Sequence, residues 1–301
     1  MNETVTRLLG SLGVARFRAE RETLPVLAQG RFTPNPLQGQ ALHRLATREG
    51  SPTRLRVLLD RSQDSAEVGE PTQDFLVVDS DPRRLCFAVT DGVGGSFMGD
   101  LAAQMLANGL VDWLMALQLP ETEAALRIAL DQFLMEFRHD AADRVAAWPI
   151  PASVTGIVRE ALEQKRDYGS EAMFVCVGVD YTRWRPRVFA AWLGDTRLRM
   201  VLRRGRAEDI GGDTADRWSS RLGTRGNVGC RIWRAGAVRR VIACSDGVLP
   251  ELESVVHLPD ALLADRLTEL SSRANSDDVA LVDVAVRARA MPPEHVTRGS
   301  S

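Results

Sequence analysis

The sequence predicts an α+β fold in which two packed β-sheets carry helices on their outer faces. Three features predict it: short apolar runs before a block of helical periodicity, the helical block itself, and further apolar runs after it. Strands, then helices, then strands with one helix before the last strand favour two packed sheets. A parallel sheet would require strands and helices to alternate regularly.

The apolar runs and the helical periods define the individual elements. We expect strands over residues 55–59, 75–78, 85–89, 173–179, 188–193, 198–202, 239–244 and 279–286. We expect helices over residues 98–117, 121–147, 153–164 and 259–272. Residues 203–231 are rich in arginine and glycine, which indicates an irregular flap between two strands.

The length of 301 residues exceeds that of most single domains, yet a large sandwich often occupies this length as one unit. Proline and glycine interrupt any long period in residues 1–50, so we expect an N-terminal arm or short helical extension there, outside the main domain. We expect one domain over residues 51–290 and a flexible C-terminal tail over residues 291–301.

The composition disfavours two classes of protein. Its 38 basic and 40 acidic residues nearly cancel, leaving a net charge of −2, so nothing favours a nucleic-acid partner. No segment approaches the ~20 consecutive apolar residues that a membrane helix requires, and the start lacks the pattern of a secretory signal. We therefore expect a cytoplasmic protein that binds neither nucleic acid nor a membrane.

Three aspartates stand at the ends of apolar runs, beside glycine or a second aspartate. Asp91 and Asp246 each follow such a run, and Asp277 precedes one. Because Mg2+ and Mn2+ prefer oxygen ligands supplied by several elements, these separated carboxylates suggest one assembled site for a hard cation. The alternative is that all three are turn or cap residues, since aspartate beside glycine is common turn chemistry.

These residues resemble the motifs of a known family, the metal-dependent protein phosphatases of the 2C serine/threonine type, especially its bacterial members. The matching segments are Thr-Gln-Asp-Phe at 72–75, Asp-Gly-Val-Gly-Gly at 91–95, Gly-Ser-Glu-Ala at 169–172, Gly-Asp-Thr-Arg at 194–197, Ser-Asp-Gly at 245–247 and Asp-Asp at 277–278. The resemblance covers about residues 55–286. It implies a four-layer α/β-β/α sandwich, with two antiparallel sheets face to face.

The resemblance also implies hydrolysis of phosphoserine and phosphothreonine in proteins by a metal-activated hydroxide. The implied cofactors are two Mn2+ or Mg2+ ions, with a third ion in bacterial members. Its catalytic carboxylates would be Asp91, Asp246 and Asp277. The metal-binding residues that it implies are Asp91, Gly92, Asp246, Asp277, Gln73, Asp74 and Asp195. The implied partners are a phosphorylated protein and a cognate serine/threonine kinase.

Several of these assignments have structural alternatives. Gln73 is neutral where the family often has glutamate, so its contact with a metal could pass through water. Asp195 could instead cap a turn and pair with Arg197. Asp278 stands where the family has asparagine, so it could fix the backbone turn or serve as a second ligand.

The sequence departs from the family pattern at two positions. Gly69 stands where members usually have an arginine that binds the substrate phosphate, so Arg61 is the candidate replacement, with a plain surface role as the alternative. Val93 stands where many eukaryotic members have a histidine proposed as general acid. These departures leave a weak or inactive pseudophosphatase that regulates by binding phosphoproteins as the alternative function. A metal-dependent nuclease would need a basic face, which the balanced charge disfavours.

Overall fold

The computed structural model describes residues 30–34, 40–44, 54–182, 185–212 and 214–286. The strands are β1 (Gly30–Phe32), β2 (Gln40–Arg44), β3 (Arg54–Asp60), β4 (Asp74–Ser80), β5 (Arg84–Gly92), β6 (Glu171–Asp180), β7 (Arg187–Leu193), β8 (Arg197–Leu202), β9 (Ala207–Ile210), β10 (Arg217–Ser219), β11 (Gly223–Arg225), β12 (Gly229–Trp233), β13 (Val238–Cys244) and β14 (Val279–Ala285). The helices are α1 (Gln63–Val68), α2 (Gly99–Ala116), α3 (Glu123–Ala147), α4 (Gly156–Tyr168), α5 (Leu252–Val255) and α6 (Asp260–Ser271). Short 3-10 helices span Arg203–Gly205 and Asp246–Glu251.

The described strands form two antiparallel sheets. In the first, the order is β1-β4-β5-β6, and the far side of β6 pairs with both β7 and β10. Strand β12 then pairs with β7, and β11 pairs with β10. The second sheet has the order β2-β3-β14-β13-β8-β9.

Helices cover the outer face of each sheet. Helix α2 lies on β4, β5 and β6, with α3 beside it, whereas α6 lies on β2, β3 and β14 of the second sheet. The inner faces meet where β14 contacts β4 and β5. The structure is therefore the four-layer sandwich of two antiparallel sheets that was expected, and the predicted fold class is confirmed.

The central strands are buried on both faces, which explains why they appear as continuous apolar runs. In β5 every residue from 85 to 90 is buried, and Asp91 is the first that is not. The Thr90 hydroxyl donates a hydrogen bond to the Ala103 carbonyl of α2 at 2.9 Å, which fixes the strand against the helix. The buried strand thus delivers Asp91 to the open edge of the sandwich.

The flap was predicted incorrectly. Residues 203–231 are not irregular, because they contain β9, β10, β11 and the start of β12. Strand β9 joins the second sheet and the other three join the first. Strands of three to five residues show too few alternations to be recognised by periodicity.

The described parts of the N-terminal arm belong to the sheets. Strand β1 pairs with β4 and β2 pairs with β3, so these segments are neither irregular nor outside the domain. The rest of residues 1–50 lies almost entirely outside the described residues, as does the tail over 291–301. None of the helices described has both the length and the apolar character needed to cross a bilayer.

Candidate metal centre

Asp91 lies at the C-terminal end of β5, between the neighbouring strands β4 and β6 of the first sheet. Its direct neighbours across the strands are Asp74 of β4 and Met173 of β6. Residues opposite each other in an antiparallel pair point to the same face with their Cβ atoms about 5 Å apart. The two carboxylates of Asp91 and Asp74 therefore share one face of the first sheet.

Asp246 and Asp277 come from the second sheet, where β13 ends and β14 begins. These antiparallel strands are neighbours, so the end of one lies beside the start of the other. The Ser245 hydroxyl accepts a hydrogen bond from the Ala280 amide at 3.0 Å, which joins the two chain segments just beyond the paired residues. The second sheet thus presents two carboxylates at the same edge.

The sandwich brings carboxylates of both sheets together. Ligand oxygens of Asp91, Asp195 and Asp246 all lie within 4.8 Å of one another. Asp195 lies in the turn between β7 and β8, which carries the chain from the first sheet to the second. Asp195 is therefore a member of the candidate metal centre. Asp277 is outside this set of three but lies near enough for its charge to act on Asp91.

Burial and mutual repulsion govern the electrostatics of the cluster. Burial raises the pKa of Asp91 well above its usual range, and the charges of Asp246 and Asp195 raise it further. Burial also raises the pKa of Asp246, followed by the effect of Asp195. Burial raises the pKa of Asp277, with Asp246 second. A divalent ion among them would reverse these repulsions, because it would be the largest local charge.

The donors fit Mg2+ or Mn2+. They are carboxylate oxygens held by buried strands, which these hard cations prefer. Burial raises the pKa of Asp74 well above its usual range, and the Asp91 charge adds to this. Within the described part of the chain, Oδ2 of Asp74 is buried and has no hydrogen-bond partner. Buried acceptors normally have one, so this oxygen fits a water held by the ions.

Two glycines make the close approach of these segments possible. A Cβ on Gly92 would lie 2.4 Å from the carbonyl carbon of Gly99, so only glycine lets the end of β5 pass the start of α2. A Cβ on Gly247 would lie 2.1 Å from the carbonyl oxygen of Asp278. Both positions are tighter than any real Cβ contact, and a larger residue at either would move an aspartate of the cluster.

A family model described as protein phosphatase 2C matches residues 63–284, which include every segment of the centre. The chain belongs to the protein phosphatase 2C family. This match confirms the resemblance that the motifs indicated. No curated protein sequence matches the chain significantly.

Solved structures of 2C phosphatases share the fold. Serine/threonine phosphatase Stp1 from Staphylococcus aureus is 14% identical, with a TM-score of 0.54, and the match covers 79% of this chain and 96% of that one. Serine-threonine phosphatase 2C from Toxoplasma gondii is 14% identical, with a TM-score of 0.53 and coverage of 86% and 100%. At this identity the likeness shows the fold alone, but it extends over nearly the whole of both relatives.

The position at which 2C phosphatases usually have an arginine is held by a glycine that ends helix α1 in this chain. Gly69 is the C-cap of α1, with φ 74° and ψ 17° in the left-handed region. Its amide donates hydrogen bonds to the carbonyls of Ser65 and Ala66. Glycine adopts this conformation without strain, so the end of α1 accounts for a glycine at the position of the family arginine.

Arg61 was predicted as the replacement for that arginine. Its side chain is partly buried, and Nη1 donates a hydrogen bond to the Glu70 carbonyl at 2.9 Å. This contact holds the segment that leads into the first acidic motif. Its role in substrate binding stays a prediction.

The first acidic motif is held by Asp278. The two carboxylate oxygens of Asp278 accept the backbone amides of Ser62 at 2.7 Å and Gln73 at 2.6 Å. This is the backbone role considered for Asp278. The Gln73 side chain lies against the glycine turn, since a Cβ on Gly94 would be 2.9 Å from Gln73 Oε1.

The sequence interpretation gave no role to Glu171, although it borders the centre. The Glu171 carbonyl accepts a hydrogen bond from the Val93 amide at 3.0 Å, and its own amide donates one to Ser96 Oγ at 3.1 Å. Its carboxylate forms salt bridges with Arg217 and Arg225. The sequence signal that could have identified Glu171 was its charge within the matching segment Gly-Ser-Glu-Ala at 169–172.

Proposed function

We propose that this chain is a Mn2+- or Mg2+-dependent phosphatase that hydrolyses phosphoserine and phosphothreonine in proteins. The observation that carries the proposal is the set of carboxylate oxygens of Asp91, Asp195 and Asp246 within 4.8 Å of one another. Membership of the 2C family supports the class of reaction. A phosphorylated protein is the proposed substrate, and the kinase that phosphorylates it is a proposed functional partner.

In this proposal the chain holds two ions through Asp91, Asp246 and Asp277, together with the Gly92 carbonyl. Asp195 would hold a third ion, and Gln73 would contact the site through water. When bound, the ions would lower the pKa of water to near neutrality and offset the charge of the phosphoryl oxygens. The carboxylates would hold the ions so that the activated water could attack phosphorus opposite the leaving oxygen.

The other residues of the site would position the water and the substrate. Oδ2 of Asp74 would orient the attacking water, because it is a buried acceptor that no described residue satisfies. Val93 has no proton to donate, so the leaving alkoxide would take its proton from solvent. Arg61 would contact the phosphate by exchanging its hydrogen bond with the Glu70 carbonyl for one with a phosphoryl oxygen.

A metal titration tests this function. Hydrolysis of p-nitrophenyl phosphate and of a phosphothreonine peptide should require added Mn2+ or Mg2+ and should stop in EDTA. Asp91→Asn should lower kcat at least ~100-fold, because it removes the carboxylate at the centre of the cluster. Asp140→Asn is the matched control, since Asp140 is exposed on α3. Full activity in the metal-free protein would contradict the proposal.

The same experiment addresses the pseudophosphatase alternative. The observation that favours it is Gly69, the C-cap of α1, which stands in place of the usual arginine. A pseudophosphatase should bind a phosphopeptide and show no turnover at any Mn2+ concentration. Turnover that Asp91→Asn abolishes would exclude it as the only function.

A further inference from the structure

A cluster of three charged residues lies at the rim of the metal centre. The Glu171 carboxylate forms salt bridges with Arg217 Nε at 2.6 Å and with Arg225 Nη1 at 2.9 Å. The two guanidinium groups come from β10 and from β11, which form a hairpin in the first sheet. The sequence alone does not reveal this cluster, because Glu171 is more than 40 residues before the two arginines.

The strand register places the cluster on the face of the first sheet that carries the metal centre. Asp91 is opposite Met173, and Glu171 lies two residues before Met173 on the same face. Glu171 is opposite Ser219, so Arg217, two residues before Ser219, also points to that face. Arg225 is opposite Arg217 and shares the face.

The spacing of strands gives the distance from the centre. Two residues along a strand span about 6.8 Å and adjacent strands are about 5 Å apart, so the backbone of Glu171 lies about 8 Å from that of Asp91. The arginines start from strands further away, but their guanidinium groups reach back to the Glu171 carboxylate. An extended peptide covers this distance in about two or three residues. A group bound to the cluster would therefore belong to a neighbour of the phosphorylated residue rather than to the phosphoryl group.

The charges within the cluster of Glu171, Arg217 and Arg225 do not cancel. Two guanidinium groups share one carboxylate, so one positive charge remains. The Glu171 side chain is only 12% exposed, whereas that of Arg225 is 47% exposed. A guanidinium has five N–H donors in a fixed plane, so Arg225 keeps donors that face solvent after it has bound Glu171. The buried carboxylate thus holds the arginines in position without neutralising both.

We propose that Arg217 and Arg225 form a subsite for an acidic side chain, located about two or three residues from the phosphorylated serine or threonine of the substrate. This inference rests on the proposed phosphatase function and adds a substrate class to it. A carboxylate fits because guanidinium groups bind it through two parallel hydrogen bonds. The subsite would also offer the substrate a protein cation in a chain that has Gly69 in place of the usual arginine.

Paired phosphopeptides test the subsite. One peptide carries glutamate three residues from the phosphothreonine, and the other carries glutamine there. We expect the protein with Mn2+ to prefer the glutamate peptide by at least about 3-fold in kcat/KM, the size of one favourable exposed ion pair. In Arg225→Gln and in the double variant with Arg217→Gln, that ratio should fall towards one. Arg239→Gln, which removes an exposed arginine at the opposite end of β13, should keep the ratio.

Three results would overturn the subsite. The first is a ratio near one in the unmodified protein, and the second is a ratio that Arg225→Gln leaves unchanged. The third is an equal loss for both peptides and for p-nitrophenyl phosphate, which would assign the arginines to the scissile phosphoryl group. Thermal unfolding of Arg225→Gln, whose side chain is exposed on the hairpin, verifies that the variant is folded.

A binding measurement separates failure of the subsite from failure of the phosphatase function. The same two peptides with a non-hydrolysable phosphonate are measured by fluorescence anisotropy in Mn2+. A preference for the glutamate peptide that Arg225→Gln removes would support the subsite even if no substrate is turned over. Equal affinities for the two peptides would refute the subsite even in an active phosphatase.

Discussion

Two charged clusters at opposite ends of β14 neutralise buried carboxylates by different means. Near the end of the strand, Asp283 accepts hydrogen bonds from Arg56 Nε at 2.6 Å and Arg240 Nε at 2.7 Å. Before its start, Asp277 joins the cluster of Asp91, and the charges that act most strongly on Asp91 are those of other aspartates. One cluster pairs its carboxylate with arginines, whereas the other gathers several carboxylates.

Under the proposed function, the difference separates a structural cluster from a functional one. Arg56 also donates hydrogen bonds to the carbonyls of Leu258 at 2.9 Å and Val256 at 3.0 Å, so it joins β3 to the segment before α6. The Asp283 cluster is complete without a ligand. Neighbouring carboxylates repel one another, and under the proposed function divalent ions would offset this repulsion.

The largest expected effect is the loss of the structural cluster. Asp283→Asn leaves Arg56, whose side chain is 5% exposed, with only the more distant carboxylate of Asp260 at 3.7 Å. We expect the free energy of unfolding to fall by about 3 kcal/mol, because a buried charge loses its nearest partner. Urea denaturation measures the change, and the activity per folded molecule should persist.

The matched control for this change is Asp209→Asn. Asp209 binds Arg199 at the surface, with a side chain that is 59% exposed. We expect a loss below about 1 kcal/mol, as is usual for exposed ion pairs. If both variants lost equally little, the Asp283 cluster would not hold the fold.

The next largest effect concerns the carboxylate cluster of Asp91, Asp195 and Asp246. Asp246→Asn should lower kcat at least ~100-fold, about 2.7 kcal/mol of barrier, because it removes a carboxylate that the second sheet contributes. The midpoint of urea denaturation in EDTA should stay the same or rise, in contrast to Asp283→Asn. A variant that lost both activity and stability would place Asp246 in the structural class.

A smaller effect is expected from Asp195→Asn. Since Asp195 lies within 4.8 Å of Asp91 and Asp246 but comes from the turn between the sheets, we expect it to support an additional ion. The Mn2+ concentration at half-maximal rate should rise and kcat should fall about 10-fold, or 1.4 kcal/mol. An unchanged Mn2+ titration would favour the alternative of a turn residue.

The smallest effect is on the stability of the metal-free protein. Burial and neighbouring charges raise the pKa of Asp91 when the chain folds, so the folded state binds its proton more tightly than the unfolded state. This stabilisation is present below the ordinary aspartate pKa of about 4 and is lost as the pH rises through the raised pKa.

In EDTA, Asp91→Asn should therefore have a higher Tm than the parent at pH 7.5, by at least about 2 °C, and a smaller advantage at pH 5. Differential scanning fluorimetry at both pH values measures this. Mn2+ should raise the Tm of the parent more than that of the variant, because the variant lacks the central ligand. A lower Tm for Asp91→Asn in EDTA would contradict the assignment.

Most elements of the fold could be predicted because they are long and fully buried. Strand β5 was expected over 85–89 and spans Arg84–Gly92, and α2 was expected over 98–117 and spans Gly99–Ala116. The flap strands were missed because their pairing with β6, β7 and β8 stabilises them, rather than their own short sequence. The C-cap of α1 at Gly69 was missed because a six-residue helix without a buried residue has no apolar period.

By itself, the sequence determined two packed sheets with outer helices and placed Asp91, Asp246 and Asp277 at strand ends. It could do so because buried strands and amphipathic helices impose local apolar patterns, and glycine turns mark where they end. The family resemblance implied Asp195 but left a turn role open, and only the tertiary structure brought its carboxylate beside Asp91 and Asp246. Only the tertiary structure revealed that Glu171 binds two arginines. These are contacts between residues far apart in the chain, which exist only once the two sheets are in register and packed.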